Sequence, residues 1–255
     1  MRTPTLTGGV TNRRREIVGQ ATAQRTTVDR GRRLRRPVEG VVLPPVACLF
    51  VRTDSVYKDL PACECYDIER DALTFGGGMP VVAHPPCRTW GKLKAFAKAP
   101  QGEHEFALWA VDQVRREGGV LEHPFGSQLW RAAMLPEPGW LPDEWGGYTV
   151  QVDQFHWGHL ARKRTWLYIC GCDIRDLPPM PRREGEPTHA VSSFCGRRVS
   201  REVRRALPTY RPELGPQRRN LTPPTFAEWL VTVARLSCRQ NAHLTGPNGP
   251  GGSHD

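Results

Sequence analysis

The chain carries short runs that are apolar almost from end to end: VACLFV at 46–51, PVVAH at 80–84 and TWLYIC at 165–170. A run of this length without polar alternation reads as a strand buried on both faces. Covering both faces takes a layer of helices on each side, so this feature selects an α/β domain on a largely parallel sheet. ECYDI at 64–68, VLEH at 120–123 and YTVQV at 148–152 supply the remaining strands. Between strands, Glu103 to Arg116 places Phe106, Trp109, Ala110 and Val114 on one helical face and stops at Gly118-Gly119. A last helix is predicted from Thr222, started by proline and carrying Phe226, Trp229, Leu230 and Val233 on its apolar face. No stretch approaches the roughly 18 uninterrupted apolar residues of a membrane span, and nothing apolar follows the arginines at 13–15. A soluble, cytoplasmic protein that does not engage a membrane is expected, and a monomer.

The net charge of +10 is unevenly placed. Residues 1–40 hold ten arginines against Glu16, Asp29 and Glu39, a net of +7. Residues 41–172 hold 13 basic and 15 acidic side chains, a net of −2, and 173–221 hold 11 arginines and 6 acids, a net of +5. Basic margins around a near-neutral middle point to a polyanionic partner, because cations that neutralise phosphates release counterions. The organisation expected is a disordered basic tail over 1–40, a catalytic domain over 41–172, a small basic region over 173–221, a helix over 222–240 and a loose tail over 241–255. Within the basic region, Ser193 to Leu207 is predicted to form a helix bearing Arg197, Arg198 and Arg201.

Of the eight cysteines, Cys63 and Cys65, and Cys170 and Cys172, are spaced too closely for a zinc loop and read as packing residues, as does Cys48. His156 and His159 read as packing too, and no metal site is predicted. Cys87 differs. It follows a predicted strand through Pro85 and Pro86, which set the backbone direction and leave the thiol little entropy to lose, as a nucleophile requires. Glu122, at the end of the next strand and held by Pro124, and Arg164, in the cluster Arg162-Lys163-Arg164, fall at the same sheet edge. A thiol, a carboxylate and a guanidinium together suit nucleophilic addition to an electron-poor ring.

These motifs resemble the DNA (cytosine-5)-methyltransferase family, in particular its compact phage-type members. Pro85-Pro86-Cys87 is similar to the family's Pro-Pro-Cys, Glu122-His123-Pro124 to its Glu-Asn-Pro, and Arg164 to the first arginine of its Gln-x-Arg-x-Arg. The resemblance spans about half the chain, from Val46 to Gly171, and implies a Rossmann-like methyltransferase sheet. It implies that Cys87 adds to C6 of a flipped cytosine in double-stranded DNA, that Glu122 assists at N3 and that Arg164 orients the base. It also implies S-adenosylmethionine as methyl donor, held by Phe50, Asp67 and Pro85, and phosphate contacts from Arg88, Lys92 and Lys94 beside Arg197, Arg198 and Arg201. Two features depart from the pattern. Val51 to Ser55 contains no glycine where the family has a glycine loop, and only about a dozen residues separate Asp67 from PVVAH, so one strand and helix of the usual fold are expected to be missing or replaced by the Gly76–Gly78 turn. Two other readings remain open: a pyrimidine-modifying enzyme with another one-carbon donor, and an inactive DNA-binding relic of the scaffold.

Overall fold

The computed structural model describes residues 42–91, 94, 97–191 and 200–244. The basic tail predicted over 1–40, Lys92, Arg197, Arg198 and the end of the C-terminal tail lie outside the described residues. Six strands form one sheet: β1 (Val46–Leu49), β2 (Cys63–Tyr66), β3 (Val81–Ala83), β4 (Gly119–Pro124), β5 (Tyr148–Asp153) and β6 (Arg164–Cys170). Their order is β2-β1-β3-β4-β6-β5. The first four run parallel, while β6 pairs antiparallel with both β4 and β5. This mixed sheet is compatible with a Rossmann-like fold: removing strand 3 from the doubly wound order 3-2-1-4-5-6 leaves β2-β1-β3-β4 as its core. The short link from Asp67 to β3 has no room for the missing strand and its crossover helix.

Alternation along each strand builds two cores. Val46 and Cys48 of β1, Val82 of β3, Val120 of β4 and Leu167 and Ile169 of β6 face one layer, with Phe226, Leu230 and Val233 of the last helix. Ala47 and Leu49, Val81 and Ala83, Leu121, and Trp166 and Tyr168 face the other layer, with Ala107, Ala110, Val111 and Val114 of the first helix. That first helix, α1 (Glu103–Glu117), ends where Gly118 turns at φ 76°. Its buried stripe lies slightly off the predicted one: Ala107 and Val111 enter the core, while Phe106 and Trp109 stay half-buried at the flank against Phe50. The reason is the neighbour. Small residues let the helix approach the sheet, and the large rings then pack at its margin.

A four-residue turn of helix, α2 (Leu129–Ala132), follows β4. In the basic region the described residues hold the α-helices α3 (Arg201–Ala206) and α4 (Pro216–Arg219); α3 falls within the helix expected over Ser193–Leu207, of which residues 193–199 lie outside the described residues. The last helix, α5 (Pro224–Leu244), extends past the boundary expected at residue 240. Among the described residues, no helix is long and apolar enough to cross a membrane.

Candidate active site

The carboxyl ends of β1, β3 and β4 meet at one edge of the sheet, the edge at which doubly wound folds place their ligands. β1 stops because Phe50 takes a left-handed φ of 58° immediately after Leu49. β3 stops at Ala83, and the segment His84-Pro85-Pro86 carries Cys87 outward. The Cys87 carbonyl accepts hydrogen bonds from the N–H groups of Trp90 and Gly91, a turn that fixes the thiol's base. The thiol itself is exposed at the rim, while the protein crowds it from beneath. Burial and, after it, the charge of Glu122 push its pKa up, against the pull of Lys163 and Arg88. At rest Cys87 is therefore a thiol rather than a thiolate.

Glu122 is the hub of a polar network. Its side chain is only 12% exposed. Tyr57 Oη lies 2.8 Å from His84 Nε2, and His84 Nδ1 lies 3.2 Å from Glu122 Oε2. Burial holds the Tyr57 hydroxyl protonated. Tyr57 therefore donates to Nε2, and Nδ1–H donates to the carboxylate. On the other oxygen, Gln154 Nε2 donates to Glu122 Oε1 at 2.9 Å and to Thr165 Oγ1 at 3.0 Å. Lys163 Nζ lies 4.0 Å from the same Oε1. Burial alone would raise the Glu122 pKa, but the Lys163 charge and the His84 hydrogen bond bring it down to about 2. Two donors and a cation thus keep a buried carboxylate ionised. Because Gln154 presents its NH2 to that carboxylate, its carbonyl Oε1 faces away, and this buried acceptor has no hydrogen-bond partner among the described residues.

Cys87 and Glu122 are therefore brought together, and Arg164 is not. In the β4–β6 ladder Glu122 stands opposite Leu167, and His123 opposite Trp166. Opposed residues share a face, so Lys163, Thr165 and Leu167 lie on Glu122's side of the sheet and Arg164 on the other. The exposed Arg164 stacks its guanidinium 4.4 Å over the Phe125 ring. The cation next to the carboxylate is Lys163. Lys163→Met should slow any reaction at Glu122 by about 100-fold, the scale of losing one charge-stabilising donor. Arg164→Met should cost less than about 3-fold on that scale. Equal losses in single-turnover assays would overturn the assignment.

The residues expected to hold the donor are placed as follows. Phe50 packs its ring 5.8 Å from Phe106 and 5.9 Å from Trp109, at the mouth between β1 and β3. Pro85 is buried. Asp67 has both carboxylate oxygens engaged: Lys58 Nζ lies 2.6 Å from Oδ2, and the N–H groups of Glu69 and Arg70 donate to Oδ1. The Lys58 bond, with those N–H groups, lowers its pKa to about 2. An acid occupied in this way, beside a strand end with no glycine to admit a ligand to the backbone, does not fit the S-adenosylmethionine site that the resemblance implies. Among the phosphate candidates, Arg88 is tied to Glu103 at 2.9 Å, and Lys94 is exposed. Arg201 begins α3.

His123, standing where the family has asparagine, is fully buried and shares a 2.7 Å hydrogen bond between Nδ1 and Ser127 Oγ. Burial lowers its pKa to about 4. The folded state binds the imidazole neutral, so its stabilising effect is complete above the unfolded pKa, near 6.5, and is lost as pH falls toward 4. Stability should drop by roughly 3 kcal/mol across that window. His123→Asn should flatten the profile, and urea midpoints at pH 7 and pH 4.5 decide it: a wild type with no more acid sensitivity than the variant means that His123 is not a buried neutral base.

Sequence reasoning did not single out Tyr57, Gln154 or Lys163. Tyr57 and Gln154 lie in short 3-10 turns with no motif around them. Lys163 had a signal, its parity along the strand relative to Arg164, but parity has no meaning until the partner register is known. No protein-family model and no curated protein matches the chain.

Proposed function

We propose that the protein is a DNA pyrimidine-modifying enzyme acting through Cys87, and that its target is cytosine C5. One observation carries this reading: the thiol presented by Pro85-Pro86 shares a sheet edge with an ionised Glu122 whose neighbour, Gln154, holds a buried acceptor without a partner. A cytosine amine is a donor suited to an acceptor of that kind. The resemblance of Pro85-Pro86-Cys87 and Glu122-His123-Pro124 to the cytosine-5 methyltransferases supports the same reading.

The chemistry assigned to these residues balances with water alone. As a flipped cytosine docks, the Cys87 proton leaves to solvent at the exposed rim, and the sulfur adds to C6. The C5–C6 π pair moves to C4–C5, the C4–N3 pair moves to N3, and N3 takes a proton from water while the Glu122 carboxylate accepts the N3–H hydrogen bond. Lys163 offsets the charge of Glu122 as negative charge develops on the ring. The product is an enamine, nucleophilic at C5. Its reversible protonation at C5 by water exchanges the hydrogen there, so the addition can be followed with no donor present.

The donor side favours a second reading at one point. The engaged Asp67 and the glycine-free strand end suit a one-carbon donor other than S-adenosylmethionine, with the Cys87 addition unchanged. The test is tritium release from duplex DNA labelled as [5-3H]cytosine. Release by wild-type protein is the expected result; no release above a protein-free control would overturn the cytosine reading. Trapping on 5-fluorocytosine duplex then identifies the donor: an adduct that requires S-adenosylmethionine supports the first reading, and release without such an adduct supports the second.

A further inference from the structure

The loop joining β5 to β6 serves two places at once. Gln154 starts a 3-10 turn (Gln154–Trp157) and reaches Glu122, while His156, two residues on, lines an open cleft of about 730 Å3 on the adjoining surface. Lys163 lies by Glu122, while its neighbour Arg162 lines the same cleft. The far wall comes from the basic region: Pro181, Arg182, Arg183, Glu184 and Gly185. Three guanidiniums and an imidazole therefore line a groove that adjoins the candidate active site through a single loop.

The way these cations are held is unusual for a solvated face. The rings and guanidiniums converge on one buried side chain: Arg162 lies 5.3 Å and Arg183 4.7 Å from the Phe155 ring centre. Flat guanidiniums on an aromatic ring are oriented without being neutralised. The acids nearby compensate weakly: Arg162 makes two long ion pairs, 3.6 Å to Asp153 and 3.6 Å to Glu186, the latter 71% exposed. Among the described residues, Arg182 and Arg183 make no ion pair. The Arg183 N–H donates to His156 Nδ1 at 3.2 Å, which leaves the proton of the neutral ring on Nε2 as a donor. The wall is also anchored. His189 N–H donates to the Leu160 carbonyl at 3.1 Å, Ala161 bridges His189, and Arg211 Nε donates to the Pro187 carbonyl at 2.9 Å. A fixed wall of this kind loses little entropy on binding.

The geometry points to this cleft as a phosphate-backbone site for duplex DNA, with Arg162, Arg182 and Arg183 as its contacts and the nucleotides flanking the target as its ligand. The inference rests on the DNA reading above and adds contacts that the sequence did not single out. Guanidinium and phosphate match in charge and in fork geometry. Such contacts position the strand and read no base, so their signature is a dependence on salt and indifference to sequence.

Fluorescence anisotropy with full-length protein and two unrelated 20-base-pair duplexes, over 50–200 mM salt, tests it. If Arg182 and Arg183 each neutralise a phosphate, the double variant Arg182→Gln/Arg183→Gln lowers the slope of log K against log salt by about 2. Across that salt range the wild-type affinity then falls about 12-fold more than the variant's. Both duplexes should lose affinity alike. Arg182→Glu, a single surface reversal, should weaken binding further and guards against a folding defect in the double variant. An unchanged slope while wild type binds DNA overturns the cleft and leaves the DNA reading standing. A loss confined to one duplex overturns it as a phosphate site. If wild type itself does not bind either duplex, the DNA reading fails and the cleft assignment falls with it.

Discussion

Cys87→Ser is expected to stop hydrogen exchange at cytosine C5, with a rate loss on the order of a thousandfold or more, the scale on which removal of a nucleophile acts. A serine oxygen at the same place is a far poorer nucleophile at neutral pH, and no neighbour is arranged to strip its proton. The substitution should leave the fold intact, because the thiol is exposed at the rim and a serine hydroxyl is of similar size. DNA affinity and thermal stability should therefore match wild type while tritium release is lost. Retained release would mean that another group attacks the ring. The wild-type rate should also climb with pH, because burial and Glu122 hold the thiol protonated and attack requires the proton to leave. A rate that is flat from pH 7 to pH 9 would argue against a thiol held in this state.

Gly119→Ala should be the most damaging small substitution in the chain. Gly119 opens β4 opposite Val81 of β3, and its φ is +119°, a region that side-chain-bearing residues rarely adopt. An alanine Cβ there would also lie 2.6 Å from the Val81 backbone nitrogen and 2.8 Å from its carbonyl carbon. Neither obstacle can move, because both belong to the central parallel pairing. A cost above about 4 kcal/mol is expected, which lowers Tm by about 8–16 °C for a domain of this size. The comparison is Gly126→Ala. Gly126 has a φ of +70° but open space around its Cβ, so backbone strain alone acts, at about 1–2 kcal/mol. A Gly119→Ala variant that melts within a few degrees of Gly126→Ala would show that the close approach of β3 to β4 does not constrain this position. The candidate site would be affected too, since β4 delivers Glu122.

How far the site was legible beforehand differs residue by residue. Cys87 and Glu122 were readable because each is announced locally, by prolines next to an apolar run. Arg164 was readable as part of a basic cluster, but its role was not, since adjacent residues of a strand point to opposite faces. Asp67 sits at the predicted strand end, yet its carboxylate is engaged by Lys58, nine residues earlier on a turn whose approach nothing in the local sequence announces. Arg88 likewise follows the thiol as expected and is drawn to Glu103, which begins α1.

The chain's own order of residues determined the class of fold and the edge at which Cys87 and Glu122 would meet. Uniformly apolar runs can only be satisfied by a sheet covered on both sides, and the residues just beyond such runs surface together. The short stretch after Asp67 likewise already implied the missing strand. Only the tertiary structure decided which cation serves Glu122, which hydrogen bonds keep it ionised and which arginines share a cleft. Each of these depends on the antiparallel register of β6 against β4, where a slip of one residue would exchange Lys163 for Arg164. That register is set by packing between residues 45 to 49 positions apart, Glu122 against Leu167 and Val120 against Ile169, and no local pattern encodes it.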